Sequence, residues 1–384
     1  MAATIPRSLP RSPTTTLRRN PSAAWRHLDL VLVGCIAAVS FLGVLMVYSA
    51  TRGPVPPYHT TFLEKQALYV LIGFVVLAVT VAIDYRHFRD WSLLLYGSAC
   101  GLLLFVVSPL GSKSNGAQSW FQLGTFQLQP SEFAKIGLVL ALANVASNFY
   151  GDVDRRRLFL LLAVAGLPLM LIMLQPDLGT ALVLTVITAG ILMIAGAQAR
   201  HLIVLLLIGA VGAVLVFNSP VIAQYQKDRL TSFAHQDEGL GQETYNLNQS
   251  KISIGAGGPF GEGLFQGSQT RLGSVPEQHT DFIFTAVGEQ LGFVGSASLL
   301  ALFSIIAWRV WRTAQLARDE FGMLLCVGVL ALLMFQIFEN VGMTMGIMPV
   351  TGIPLPLVSY GGSSTIAYFG ALGLVLNVHM RRFA

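Results

Sequence analysis

Apolar residues recur along this chain in long unbroken runs, without the alternation of a half-buried strand or the single stripe of a surface helix. A run of about 18 or more apolar residues can cross ~30 Å of hydrocarbon as a helix. Segments of this kind fall at 28–49, 66–83, 91–107, 132–149, 157–174, 178–197, 202–217, 283–306, 322–340 and 363–380. The pattern predicts an all-α polytopic membrane protein with about ten transmembrane helices. Residues 28–384 form a single integral-membrane unit behind a basic tail, 1–27. The connections are mostly short. The exception, 218–282, is by far the longest; its aromatic and apolar content predicts an ordered, functional loop between spans seven and eight.

The positions of Lys and Arg orient the spans. Arg7, Arg11, Arg18, Arg19 and Arg26 precede the first span, Arg86 and Arg89 follow the second, and Arg155, Arg156 and Arg157 follow the fourth. Arg200 follows the sixth span, Arg309, Arg312 and Arg318 the eighth, and Arg381 and Arg382 the tenth. With ten spans all six groups lie on one side, which the positive-inside rule makes cytoplasmic. Both termini are then cytoplasmic, and 50–65, 108–131, 175–177, 218–282 and 341–362 face outward.

Composition agrees with lipid as the solvent: 54% of residues are hydrophobic and 11% charged, against roughly 25% charged in soluble domains. The tail is rich in Arg, Pro, Ser and Thr and reads as disordered. The apolar run behind it exceeds the ~7–15 residues of a signal-peptide core, so it is a retained first span. Cys35, Cys100 and Cys326 lie far apart inside apolar stretches and read as small buried residues. No H-E-x-x-H, Walker loop or zinc spacing occurs, which argues against an ATP-driven pump. No internal repeat is evident, which weakens an inverted-repeat transporter.

Charged groups in or beside spans are costly and usually functional, and here most fall on the outer half. Asp281 abuts Phe282, Ile283 and Phe284, with Glu277 and His279 before it and Glu289 after. Lys65 opens the second span; Glu132 and Lys135 share a face of the fourth; Asp177 sits in a tight turn; Trp120 lies in "SNGAQSWFQLG". Lys113, Lys227, Arg229 and Lys251 add cations. Each has a plainer reading. Glu132–Lys135 would serve as a structural ion pair, Asp177 as a helix N-cap, Trp120 as an interface anchor, Lys227 as a solvated charge, and His279 as a satisfied polar residue. Glu289 would bond a neighbouring helix. The glycine segment 254–269 is either an anion cradle or a flexible loop. Gly361, Gly362, Ser363 and Ser364 would open the last span as a second anion site. Desolvation raises a carboxylate's pKa and makes it a better base. A base beside anion-holding groups suits deprotonation of a hydroxyl while a phosphate-bearing group leaves; among membrane helices the natural substrate is a lipid-linked phosphate.

The ordered motifs "NGAQSWF", "QPSEFAKI", "QPDLGT", "PEQHTDFIF" and "TGIPLPLVSYGGSS" resemble the SEDS family (shape, elongation, division and sporulation) of bacterial membrane proteins. The resemblance covers about 28–383, and "TGIPLP" before "SYGGSS" places it nearer the rod-shape branch than the division branch. It implies a peptidoglycan glycosyltransferase that polymerises lipid II for cell elongation and shape. It also implies a class B penicillin-binding protein as crosslinking partner. Membrane lipids are the other expected contact; nucleic acid is not expected. By resemblance Asp281 is the essential acid, with Lys65, Glu132, Lys135 and Asp177 as further site residues. On that basis Asp281 takes the proton of the acceptor's 4-hydroxyl, undecaprenyl pyrophosphate leaves with inversion, and Lys65, Lys113, Lys135, Arg229 and Lys251 offset the charge. No cofactor is implied with certainty; Mg²⁺ or Mn²⁺ at the pyrophosphate stays open. Glu262 and Gln278 stand where many relatives carry a basic residue. The rival readings are a lipid II flippase, which needs a polar path to the cytoplasmic half, and a non-catalytic scaffold for the penicillin-binding protein.

Overall fold

The computed structural model describes residues 26–108, 111–114, 117–124, 126–217 and 242–383. Most of the basic tail and residues 218–241 of the long loop therefore lie outside the described residues. Among the described residues ten long helices fall on the ten expected segments: α1 Leu30–Thr51, α2 Thr61–Ala82, α3 Tyr85–Val106, α4 Pro130–Ser147, α5 Arg155–Met173, α6 Leu178–Ala195, α7 Ala199–Phe217, α10 Ile283–Leu316, α11 Glu320–Thr344 and α12 Gly362–Met380. Six of them (α1, α2, α5, α6, α10 and α11) are long and apolar enough, by length and composition, to cross a membrane. Two shorter helices, α8 Gln242–Ala256 and α9 Ser268–Leu272, occupy the described part of the long loop.

Several helices begin before the apolar run does. Asp29, Asp84, Asp154, Asp177 and Asp319 each accept a backbone N–H two or three residues on, satisfying donors that a helix start leaves orphaned. Hydropathy misses polar first turns: α3, capped by Asp84, starts at Tyr85 instead of 91, and α2, without a side-chain cap, starts at Thr61 instead of 66. One element departs from an all-helical chain. Strands β1 Ser112–Ser114, β2 Ala117–Leu123 and β3 Phe126–Leu128 form a small antiparallel sheet, with Lys113 opposite Gln118 and Phe121 opposite Leu128. The sequence places this segment only in an outer loop, 108–131.

Helix α12 is buried along almost its whole length and is the axis of the bundle. It lies against α2, where Gly73 meets the Phe369 ring and Gly373 meets the Thr80 side chain; a Cβ at either glycine would collide. Around it pack α4, α10 and α11, with α1 along α10. At one end of the bundle basic residues bond the helix starts: Arg309 to Asp29 (2.5 Å), Arg381 to Asp84 (3.4 Å). Tyr85 donates to Asp319 at the same end (2.5 Å). The hairpin, the described part of the long loop and residues 345–361 gather at the opposite end.

Helix α10 is broken at Gly292, whose φ of 65° and ψ of −164° lie outside the helical region. The interrupted backbone is taken up by the glycine segment. Glu262 N–H donates to Glu289 O (2.9 Å) and Gly263 N–H to Gln290 O (3.1 Å). In return Gly258 O and Pro259 O accept from Phe293 N–H (2.9 Å) and Val294 N–H (3.0 Å). At this kink the segment is neither an open anion cradle nor a free loop: its backbone groups replace the bonds that the kink removes from α10.

Candidate active site

Asp281 lies two residues before α10 begins, half-buried, at the end opposite the Arg-rich one. Phe282, Ile283 and Phe284 behind it are 3%, 0% and 3% exposed. The carboxylate therefore stands where water gives way to packed apolar side chains. The turn that presents it starts at Glu277, whose φ of 51° is left-handed and whose carbonyl accepts from Thr280 N–H (3.1 Å) and Asp281 N–H (3.2 Å). Glu277 itself is exposed. The Asp281 carbonyl accepts from the Asn340 side chain on α11 (2.8 Å).

His279 joins an aromatic wall. Its ring stands edge-on to Phe62 of α2 (4.9 Å between centroids) and tilted on Tyr360 (5.6 Å). Tyr360 continues to Tyr69, and Tyr69 to Phe126 of the hairpin. Burial pushes the His279 pKa down, opposed by the nearby Glu277 carboxylate; desolvation disfavours the charged ring. Lys65 is half-buried on α2, one residue before Gln66. The Gln66 amide donates to Ser359 O (3.3 Å) and accepts from Gly361 N–H (3.4 Å). This ties the Lys65 helix to the loop that holds the Asp281 turn.

Other expected site residues lie deeper or act as braces. Glu132 and Lys135 form an ion pair of 2.7 Å, both almost wholly buried. The Lys135 ammonium sits over the Tyr368 ring (5.9 Å), and the Tyr368 hydroxyl bonds Gln336. The pair thus locks α4 to α12 and α11 and faces the bundle core. Asp177 caps α6, accepting from Thr180 N–H (2.9 Å) and Thr180 Oγ1 (2.7 Å). The Ser363 hydroxyl is engaged within the fold: it accepts from Gln129 N–H (3.0 Å) and donates to Gln127 O (3.1 Å). It binds the hairpin to α12. Trp120 is half-buried on β2, and its carbonyl accepts from the Ser112 hydroxyl (3.0 Å). Lys251 is half-buried on α8, next to Ser250, whose hydroxyl donates to Thr344 O (2.7 Å). Arg229 and Lys227 lie outside the described residues, as does the side chain of Lys113.

Glu262 and Gln278, the two departures from the family resemblance, have structural work here. Glu262 accepts from Ser268 N–H (2.6 Å) and Ser268 Oγ (3.1 Å) at the start of α9. Gln278 donates to Thr270 Oγ1 and Thr285 Oγ1, each at 3.1 Å. Glu289 is fully buried and accepts from Gln269 N–H (2.6 Å), Thr270 N–H (3.1 Å) and Thr270 Oγ1 (2.6 Å). These bonds press α9 and the Asp281 turn onto α10.

Sequence reading passed over Gln66, Arg52, Asn340 and Ser359. Arg52 closes the glycine segment, donating to Phe265 O (2.8 Å) with its guanidinium over the Phe265 and Tyr58 rings. Gln66 and Asn340 were visible as polar side chains within apolar runs, a costly placement; Ser359, in a loop, gave no such signal. Among the described residues no cluster of three or more His, Cys, Asp or Glu side chains forms a metal-holding group.

The comparisons with known proteins agree on one family. The cell cycle protein model FtsW, RodA and SpoVE matches residues 29–383. The chain is 36% identical to the probable peptidoglycan glycosyltransferase FtsW of Trichlorobacter lovleyi, over 91% of this chain and 92% of that one. It is 33% identical to the peptidoglycan glycosyltransferase MrdB of Escherichia coli, over 93% and 94%. Among solved structures it resembles the Thermus thermophilus rod shape determining protein RodA, with a TM-score of 0.70, 31% identity and coverage of 94% and 99%. It also resembles a chain from a study of coordinated polymerization and crosslinking by a peptidoglycan synthase complex (TM-score 0.78, 32% identity, coverage 93% and 98%).

Proposed function

Because the chain belongs to the FtsW, RodA and SpoVE family, it is a multi-pass membrane peptidoglycan glycosyltransferase, and we propose that it polymerises lipid II with Asp281 as the general base. The observation that carries this reading is the position of Asp281. It is a half-buried carboxylate on a braced turn, backed by Phe282, Ile283 and Phe284, at the end of the bundle opposite the Arg-rich one. The positive-inside rule assigns that end to the extracytoplasmic face, where cell-wall sugars are joined.

In the proposed step Asp281 accepts the proton of the 4-hydroxyl on the acceptor's N-acetylglucosamine. The freed oxygen attacks the anomeric carbon of the donor's N-acetylmuramic acid from the face opposite the leaving group. The bond to undecaprenyl pyrophosphate breaks, and α becomes β. A positioned base contributes ~10²–10⁴-fold. Lys65, on the helix tied to the Asp281 turn, is the described cation best placed to offset charge on the departing pyrophosphate. Lys113, Arg229 and Lys251 belong to the same outward segments. The buried Lys135 supports the bundle through Glu132. A class B penicillin-binding protein is the proposed crosslinking partner.

A flippase requires polar groups through the whole bilayer. Here Glu132, Lys135, Gln336 and Asn340 lie toward the Asp281 end, while residues 138–143 of α4 and 371–376 of α12 fill the core below them with buried, mainly apolar residues. The test is purified protein with lipid II in detergent, where no sealed compartment exists. Glycan polymer is the expected product; its absence under conditions that preserve the folded protein would favour transport or scaffolding.

A further inference from the structure

Three successive carbonyls in the Asp281 turn each receive a donor from outside it. His279 O accepts from Tyr360 N–H (2.9 Å), Thr280 O from the Ser359 hydroxyl (2.5 Å), and Asp281 O from the Asn340 amide (2.8 Å). The two side chains among these donors are fixed in turn. Asn340 also donates to Ile353 O (2.8 Å), and Ser359 Oγ accepts from Leu355 N–H (2.9 Å). Both are buried, at 0% and 2% exposure. Behind Ser359, the Gln66 amide holds its carbonyl and the N–H of Gly361.

Residues 279–281 precede α10, so helix bonds do not satisfy their carbonyls. An unsatisfied carbonyl in so apolar a setting costs ~1–3 kcal/mol, which alone gives each bond a structural value. The arrangement does more than satisfy. A donor on each of three consecutive carbonyls fixes the path of the backbone, and the last of them lies on the residue that carries the carboxylate. Two of the donors are side chains on different elements, α11 and the 345–361 loop, so α11 and that loop, which Gln66 ties to α2, are both referenced to the position of Asp281.

We propose that Asn340 and Ser359 are positioning residues for Asp281: their side chains grip the carbonyls of Asp281 and Thr280 and thereby set where the base meets the acceptor hydroxyl. This rests on the reading of Asp281 as base. Neither residue touches substrate; each acts on the rate through the turn. Near-attack geometry is demanding enough that a displacement of ~1 Å costs on the order of 10²-fold.

The test uses the full chain in detergent with lipid II and compares Ser359→Ala, Ser359→Thr, Asn340→Ala and Asp281→Asn. Ser359→Ala removes the donor, and Ser359→Thr keeps a hydroxyl at the same place. The expected result is a kcat lower by about 10- to 100-fold in Ser359→Ala and Asn340→Ala, with KM within about threefold. Ser359→Thr recovers most of the rate. If Asn340→Ala does not accumulate, the Ser359 pair decides alone. Wild-type kcat in Ser359→Ala, beside an inactive Asp281→Asn, overturns the positioning role and leaves the base intact. A rise in KM with unchanged kcat, or no recovery in Ser359→Thr, also overturns it. Near-normal polymerisation by Asp281→Asn removes the base itself, and the positioning role with it.

Discussion

Gly261→Ala tests whether the glycine segment braces α10. Gly261 has a φ of 82°, and a Cβ there would run into the Gln290 carbonyl and lie 2.7 Å from Gly292 N. Left-handed backbone costs an alanine about 1–2 kcal/mol. The collision is with backbone, which has no flexible end to move aside. The segment must lift, and the bonds from Glu262 N–H to Glu289 O and from Gly263 N–H to Gln290 O are the first to go. Each leaves a carbonyl at the α10 kink without its donor, at about 1–3 kcal/mol. The sum is about 3–8 kcal/mol, at least two powers of ten in the docking equilibrium of the segment. Hydrogen exchange reads this directly, through the amides of Glu262, Gly263, Phe293 and Val294. Gly255→Ala is the control. Gly255 is on α8 with nothing within 4 Å of its Cβ, and alanine favours a helix by about 0.5–1 kcal/mol. Exchange at the four amides should rise by about 100-fold or more in Gly261→Ala and stay at the wild-type rate in Gly255→Ala. Equal protection in wild type and Gly261→Ala would refute the brace, as would equal damage from both substitutions.

The buried Glu132–Lys135 pair makes Lys135→Met costly, at about 3–5 kcal/mol, because Glu132 loses its buried partner. Adding Glu132→Gln should recover part of that loss in the thermal unfolding midpoint, and strict additivity would contradict the account. Burial holds the His279 pKa below its ordinary value of about 6.5, so the unfolded chain binds the proton more readily. The contribution of the neutral ring is full above about pH 6.5 and is lost as pH falls through the depressed folded value. His279→Phe keeps the aromatic contact without the proton; its unfolding midpoint should gain on wild type as pH is lowered from about 8 to about 5, and parallel curves would contradict this.

The spans and the family were legible because lipid imposes a coarse requirement: each apolar run long enough to cross is nearly certain to be a helix. The positions of Asp281, Lys65 and Asp177 were legible because charge beside such runs is conspicuous. Function within the bundle was not. Nothing local to Ser363 says that its hydroxyl joins Gln127 and Gln129, 236 and 234 residues away. The partners of Asn340 and Ser359 are likewise decided by which helices meet. The glycine segment looked like a loop because its partners, the carbonyls of Glu289 and Gln290, become available only where Gly292 breaks α10. Hydropathy sees neither the kink nor the hairpin, since both are set by backbone conformation.

The central claim, that a carboxylate at this rim performs the proton transfer, is tested most directly by polymerisation of lipid II in detergent. Wild type is compared with Asp281→Asn, which keeps the shape of the side chain and removes its basicity. The account predicts glycan strands from wild type and none from a variant with an unchanged unfolding midpoint; strands formed by Asp281→Asn at close to the wild-type rate would contradict it.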